Sequence, residues 1–168
     1  MIKNPLDAAC RLLPLTVTIL AVATGCSCRD VAETSLEISS VYISEPVMGE
    51  RAAMYFTVVN HGPITDHLVA VSTPIAKRAE IHRTVEDGGM MRMEPVESLR
   101  VSPGEELHLG PGGYHVMLLD LNQHVGPGDK VEAILSFRAA GEVPVQARVI
   151  ALPKLEGVLD SARGDRRH

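Results

Sequence analysis

Two histidines and two methionines stand in the pattern H-x10-M-x21-H-x-M, formed by His82, Met93, His115 and Met117. The last pair lies in GGYHVMLLDL, and a β-strand alternates its side chains between two faces, so His115 and Met117 point the same way and can converge on one atom. Thioether sulfur is a soft ligand suited to Cu(I), and imidazole binds copper in either oxidation state. A hard ion such as Ca²⁺ would call for carboxylates instead. Methionine also stays neutral and cannot form a disulfide, so a Met/His site tolerates an oxidising compartment better than a thiolate site, although sulfoxide formation remains open to it.

Taken singly, each of these residues has a plainer reading. Met93 and Met117 would be fillers of irregular core gaps, and His82 and His115 surface or hydrogen-bonded histidines. What sets the plainer readings aside is the resemblance of the joint spacing to a known family's signature, described below, a four-residue pattern that seven His and seven Met in 168 residues would match by chance roughly 4 times in 10,000. Of the neighbouring methionines, Met91 is expected in the core and Met90 at the surface. His61, His67, His108 and His124 are expected to be solvated at turns and strand ends, and His168 in a solvated tail. Cys26 and Cys28 form C-x-C, a spacing that could hold a second Cu(I) unless Cys26 is lipidated.

Positioning such a site requires strands. From Leu36 onward, runs rich in Val, Ile, Leu, Tyr and Phe (LEISSVYI, AAMYFTVVN, HLVAVS, AEIHR, MRMEPV, EELHL, YHVMLLDL, KVEAILSF, VPVQARVIAL) alternate with Gly/Pro/Asn/Asp turns such as NHGPITD, EDGG, GPGG and VGPGD. About eight or nine strands without helical periodicity predict an all-β fold, a Greek-key β-sandwich or small barrel. There is no Trp, and three Tyr and two Phe are the only aromatics, so aliphatic packing must build the core. His82 is expected to end one strand, EDGG to turn the chain, and Met93 to return beside it in a hairpin. His115 and Met117 follow the GPGG turn on a neighbouring strand, giving a site at one end of the barrel and partly open to solvent.

The chain's length allows one domain, expected over residues 36–152. Residues 1–25 read as an export signal: Lys3 and Arg11, then the apolar run LLPLTVTILAVAT, too short to span a membrane well. Two cleavage readings compete. Ala21-Val22-Ala23 is an A-x-A site for ordinary secretion, whereas Ala23-Thr24-Gly25-Cys26 resembles a bacterial lipobox, the preferred reading, which leaves Cys26 lipidated as the first residue. Residues 26–35 read as a flexible tether and 153–168 as a C-terminal tail. Removing the leader takes away Lys3, Arg11 and Asp7, moving the formal charge from −5 to −6. Such a charge does not attract nucleic acid. The third cysteine, Cys10, lies in the leader, so no disulfide framework holds the body. No P-loop, dinucleotide fingerprint, G-x-S-x-G or H-E-x-x-H is present.

The H-x10-M-x21-H-x-M arrangement, together with DGGMMRM and PGGYHVML, resembles the signature of the periplasmic copper chaperones of the PCuAC family over roughly residues 36 to 152. The resemblance implies a cupredoxin-like domain that holds Cu(I) through His82, Met93, His115 and Met117 and is not an enzyme. It further implies delivery to the copper-containing subunit of cytochrome c oxidase, directly or with a Sco-type thiol protein, from the bacterial periplasm or cell envelope. A blue-copper electron carrier would need a Cys ligand in the fold, and the body has none. A copper–zinc redox enzyme would need a denser His cluster with a carboxylate. The competing readings are a structural or adhesive envelope lipoprotein without a metal site, since a β-sandwich alone implies no function, and a copper storage or resistance protein.

Overall fold

A computed structural model describes residues 35–151, and among them it contains ten strands and no helix. The expected leader, most of the tether and the tail lie outside the described residues. The strands are β1 (Leu36–Ser44), β2 (Arg51–Asn60), β3 (Asp66–Ser72), β4 (Ala76–Asp87), β5 (Met90–Pro95), β6 (Leu99–Val101), β7 (Glu106–Leu109), β8 (Tyr114–Leu121), β9 (Lys130–Phe137) and β10 (Gly141–Ile150). Nine of them match the apolar runs. The tenth, β6, is three residues long and too short to carry an alternation.

The strands hydrogen-bond in the order β5-β4-β8-β7-β2-β1-β10-β9-β3-β6, and β8 also pairs with β2. Neighbours far apart in sequence, such as β8 beside β4 and β10 beside β1, require long crossovers. The sheet folds over so that β3 also packs against β4, and one face becomes the interior. The alternation of β9 puts Val131, Ala133, Leu135 and Phe137 inside. Met54, Phe56 and Val58 of β2 and Val116 and Leu118 of β8 are fully buried in the same cluster. Each large apolar side chain removed from water in this way contributes about 1.5–3 kcal/mol.

Two buried polar side chains fix the far end of the sheet. Asn60 donates through Nδ2 to the carbonyls of Ile64 (2.8 Å) and Val101 (3.0 Å), and its Oδ1 accepts from the Gly62 amide. Asp66, 1% exposed, accepts hydrogen bonds from the backbone amides of His67, Ala139 and Ala140. Both satisfy backbone groups that a turn would otherwise leave unpaired in the interior.

Two turns shape the region of the proposed chemistry. Between β4 and β5 the loop is Gly88-Gly89, with φ of +59° and +81°, and Asp87 pairs with Met90 on either side. Positive φ at both central positions is what a two-residue hairpin of matching twist requires. Before β8, Gly110-Pro111-Gly112-Gly113 closes with a bond from the Gly113 amide to the Gly110 carbonyl, and Gly112 has φ +73°. Pro then Gly at the two central positions is the chemistry of a type II turn.

Candidate metal centre

His82 lies in the middle of β4 rather than at a strand end, because the polar stretch Arg83–Asp87 continues the strand before the chain turns. In β4, Ile81 is buried in the main core, so His82 points to the other face. His82 pairs directly with His115 of β8, and Glu80 pairs with Met117. On the other side of β4, Thr84 pairs with Met93 and His82 with Pro95. Met93 is therefore the diagonal neighbour of His82 on the same face, a relation of roughly 7–8 Å that long side chains can close. All four residues share one face of β5, β4 and β8, turned away from the main core. They lie near the start of β8, where β2 leaves it: Met54 pairs with Val116, but Phe56 already pairs with Leu109 of β7.

The two imidazoles are unequal in their surroundings but alike in one respect. His82 Nε2 is 3.1 Å from Glu80 Oε2, and His115 Nδ1 is 3.2 Å from the carbonyl oxygen of Gly113. A carboxylate and a carbonyl can only accept, so both of these ring nitrogens carry protons in the neutral ring. That leaves bare lone pairs on His82 Nδ1 and His115 Nε2. Both atoms are buried without a hydrogen-bond partner, a condition that costs about 1–3 kcal/mol each when nothing else meets them. The rings stand 5.9 Å apart, edge to face.

Three features hold this pair. The Gly113 carbonyl also accepts the Thr84 amide at 3.1 Å, so the atom orienting His115 is itself tied to β4. Glu80 is gripped through its second oxygen by Arg78 at 2.8 Å, and Arg78 reaches Asp120 at 3.2 Å. Tyr55 lies 6.5 Å from the His115 ring and packs with Tyr42, Ala53 and Ile150 in a small apolar cluster on this outer face. His115 is 3% exposed. Burial holds its pKa below the ordinary histidine value, with the His82 ring adding to the effect and the Gly113 bond opposing it. The imidazole is thus kept neutral and ready to donate a lone pair. Burial also raises the Tyr55 pKa, which keeps the phenol uncharged.

The sulfurs are more open. Met117 is half-buried, whereas Met93 is 60% exposed. Among the described residues no three His, Cys, Asp or Glu side chains converge on a metal position, so a metal held by these imidazoles must draw on the thioethers. That donor set is soft and fits Cu(I).

Several neighbours depart from expectation. Met91 is 63% exposed rather than in the core, because its register opposite Glu86 puts it on the outer face. Met90 is exposed as expected. His108 does not solvate a strand end but is half-buried, with Nδ1 3.0 Å from Thr57 Oγ1 on β2. Close packing there also explains Gly110, where a Cβ would lie 2.6 Å from His108 Nε2. His67 is half-buried within β3 rather than flanking a turn. His61 is exposed and 3.0 Å from Glu37, and His124 is exposed. Cys26, Cys28 and His168 lie outside the described residues. Sequence reading missed Glu80 and Tyr55, though A-E-I-H spaces Glu80 two residues from His82 and so onto the same face of a strand.

Residues 36–149, most of the described body, match the LpqE-like family. The chain belongs to that family. Protein Lxx21020 of Leifsonia xyli subsp. xyli, named as a lipoprotein, is 30% identical over 150 residues, which is 83% of this chain and 90% of that one. The fold of this chain is similar to that of solved PCuAC domains. The copper-bound PCuAC domain from PmoF2 is 27% identical, superposes with a TM-score of 0.60, and is matched over 69% of this chain and 92% of its own. The Cu(I)-loaded DR1885 of Deinococcus radiodurans, a solution structure, is 28% identical with a TM-score of 0.52, over 70% of this chain and 77% of its own. This LpqE-like chain is accordingly a cupredoxin-like all-β domain similar to PCuAC copper chaperones.

Proposed function

We propose that this LpqE-like chain is an exported metallochaperone that binds one Cu(I) through His82 Nδ1, His115 Nε2 and the thioethers of Met93 and Met117. The observation that carries the reading is the pair of buried, partnerless imidazole nitrogens, on rings 5.9 Å apart on a sheet face that also presents two methionines. Similarity to copper-bound PCuAC domains supports the choice of metal.

The copper is cargo, and the residues divide its handling. His82 and His115, oriented by Glu80 and Gly113, supply fixed neutral nitrogen donors. Met93, the most exposed of the four, is the ligand an acceptor can displace first, and Met117 lies deeper against Ala53. Neutral ligands leave the site carrying the ion's own charge, and soft thioethers exchange one at a time. The acceptor in this reading is the copper subunit of cytochrome c oxidase, reached directly or through a Sco-type thiol protein. A lipid on Cys26, at the end of a tether over residues 26–35, would hold the domain at the bacterial envelope; the copper domain itself is residues 36–152.

Anaerobic titration with Cu(I) tests this. Saturable one-to-one uptake is expected, and Met93→Leu with Met117→Leu together should weaken it by at least about a hundredfold, roughly tenfold per lost ligand. Unchanged affinity in the double variant would refute the ligand set. Absence of saturable uptake in the native protein would leave a structural or adhesive envelope role. Transfer to a purified acceptor separates delivery from storage or resistance.

A further inference from the structure

Among the described residues β5 is an edge strand, bonded to β4 and to no other strand. Its methionines therefore serve no interior: Met90, Met91 and Met93 are 68%, 63% and 60% exposed. Register divides them. Met91 and Met93 share the face of His82, while Met90 and Arg92 take the opposite one. The charges on this hairpin arm divide in the same way. Arg83 pairs with Glu94 and Arg92 with Asp87, each at 3.4 Å, and all four lie on the face away from His82. On the His82 face the arm presents Met91, Met93, Thr84 and the carboxylate of Glu86, which stands opposite Met91. That face holds two soft donors and one anion, with the arm's cations turned away from it.

We propose that Met91 and Met93 form a two-thioether landing site for Cu(I) near the outer end of the β4–β5 hairpin, from which the ion moves inward to His82 and His115. The proposal deepens the copper reading above and rests on it. Copper remains Cu(I) throughout and no electron is exchanged. Bonds from copper to the Met91 and Met93 sulfurs form as two bonds to a small-molecule Cu(I) chelate break. Bonds to His82 Nδ1, His115 Nε2 and the Met117 sulfur then replace the bond to Met91, while Met93 stays attached. Thioethers suit this role because each is a weak, neutral, exchangeable ligand for a soft ion, and Met side chains adapt readily to changing geometry.

The test is stopped-flow loading of the intact protein from a coloured Cu(I) chelate under anaerobic conditions, beside equilibrium competition with the same chelator. Met91→Leu keeps the apolar surface and removes the sulfur. It is expected to slow loading by roughly fivefold or more, equivalent to about 1 kcal/mol on the barrier, while equilibrium affinity stays within about twofold. Met91→Gln should slow loading equally. Loading of Met91→Leu at the native rate overturns the proposal, and if Met91→Gln alone were slow the methionine would be an apolar docking contact instead. A fall in equilibrium affinity as large as that of Met93→Leu also overturns it, since Met91 would then be a resident ligand. The two levels fail separately: a Met93→Leu/Met117→Leu variant of native affinity removes the ligand set on which the landing site rests, whereas its weakened binding beside normal loading of Met91→Leu removes the landing site alone.

Discussion

Removing the Glu80 carboxylate should weaken copper binding without loosening the fold. Glu80 Oε2 accepts from His82 Nε2 at 3.1 Å and so leaves Nδ1 as the lone-pair atom of that ring. In Glu80→Ala nothing selects that tautomer, and the ring is free to present either nitrogen. Loss of such an orienting partner typically costs 10–100-fold in metal affinity. The Glu80 side chain is 38% exposed, so water can take over part of the role, and the expected loss is at the low end, about tenfold or ~1.4 kcal/mol. Glu80→Gln keeps an acceptor oxygen without the charge and should lose roughly threefold, since charge-assisted bonds are about twice as strong as neutral ones. Arg78→Ala frees the other carboxylate oxygen, 2.8 Å away, but leaves the His82 contact in place, and should change affinity by less than about twofold. The assay is anaerobic competition against a chromophoric Cu(I) chelator, with thermal melts to verify folding. If folded Glu80→Ala bound copper within about twofold of the native protein, Nδ1 would not be the ligand atom and the orientation argument would be wrong.

Two further outcomes follow from the buried polar groups. Burial lowers the His115 pKa, so as pH falls the unfolded chain takes up the proton first. The stability gained from the neutral ring is complete above the unfolded value of about 6.5 and is lost as pH drops through the folded value. Apo-protein melting temperature should therefore fall on acidification below that point, and His115→Gln should remove up to one proton's share of the slope, about 1.4 kcal/mol per pH unit; identical slopes in the two proteins would contradict this. Asp66→Ala leaves three backbone amides without their acceptor and should cost about 3 kcal/mol in denaturant unfolding. Cu(I) affinity should be unaffected, because the Asp66 carboxylate bonds to the start of β3 and the β9–β10 turn, whereas the histidines lie on the outer face of β4 and β8.

The strand framework was legible because alternation and Gly/Pro turns are local signals. β9 alternates cleanly along its length, and GPGG carries its turn type in its own residues. What local reading missed depends on pairing. The end of β4 eludes local reading because Arg83–Asp87 carries charges on both faces, and only its ladder with β5 reveals it as strand. Met91 reads as a core residue in sequence because hydrophobicity alone does not say which side of an edge strand is covered. Spacing selected the two histidines and two methionines, and register brings them to one face. The spacing does not disclose which nitrogen of each ring is bare, since that depends on a Gly113 carbonyl and a Glu80 carboxylate fixed by the folded backbone.

The four residues project from the side of the sheet that the aliphatic interior does not use. A carrier must survive being empty, and here the side chains that keep the domain folded are different from those that would grip the cargo. Unloading then costs the protein a few local contacts and leaves its architecture standing, so repeated filling and discharge need no cycle of unfolding and repair.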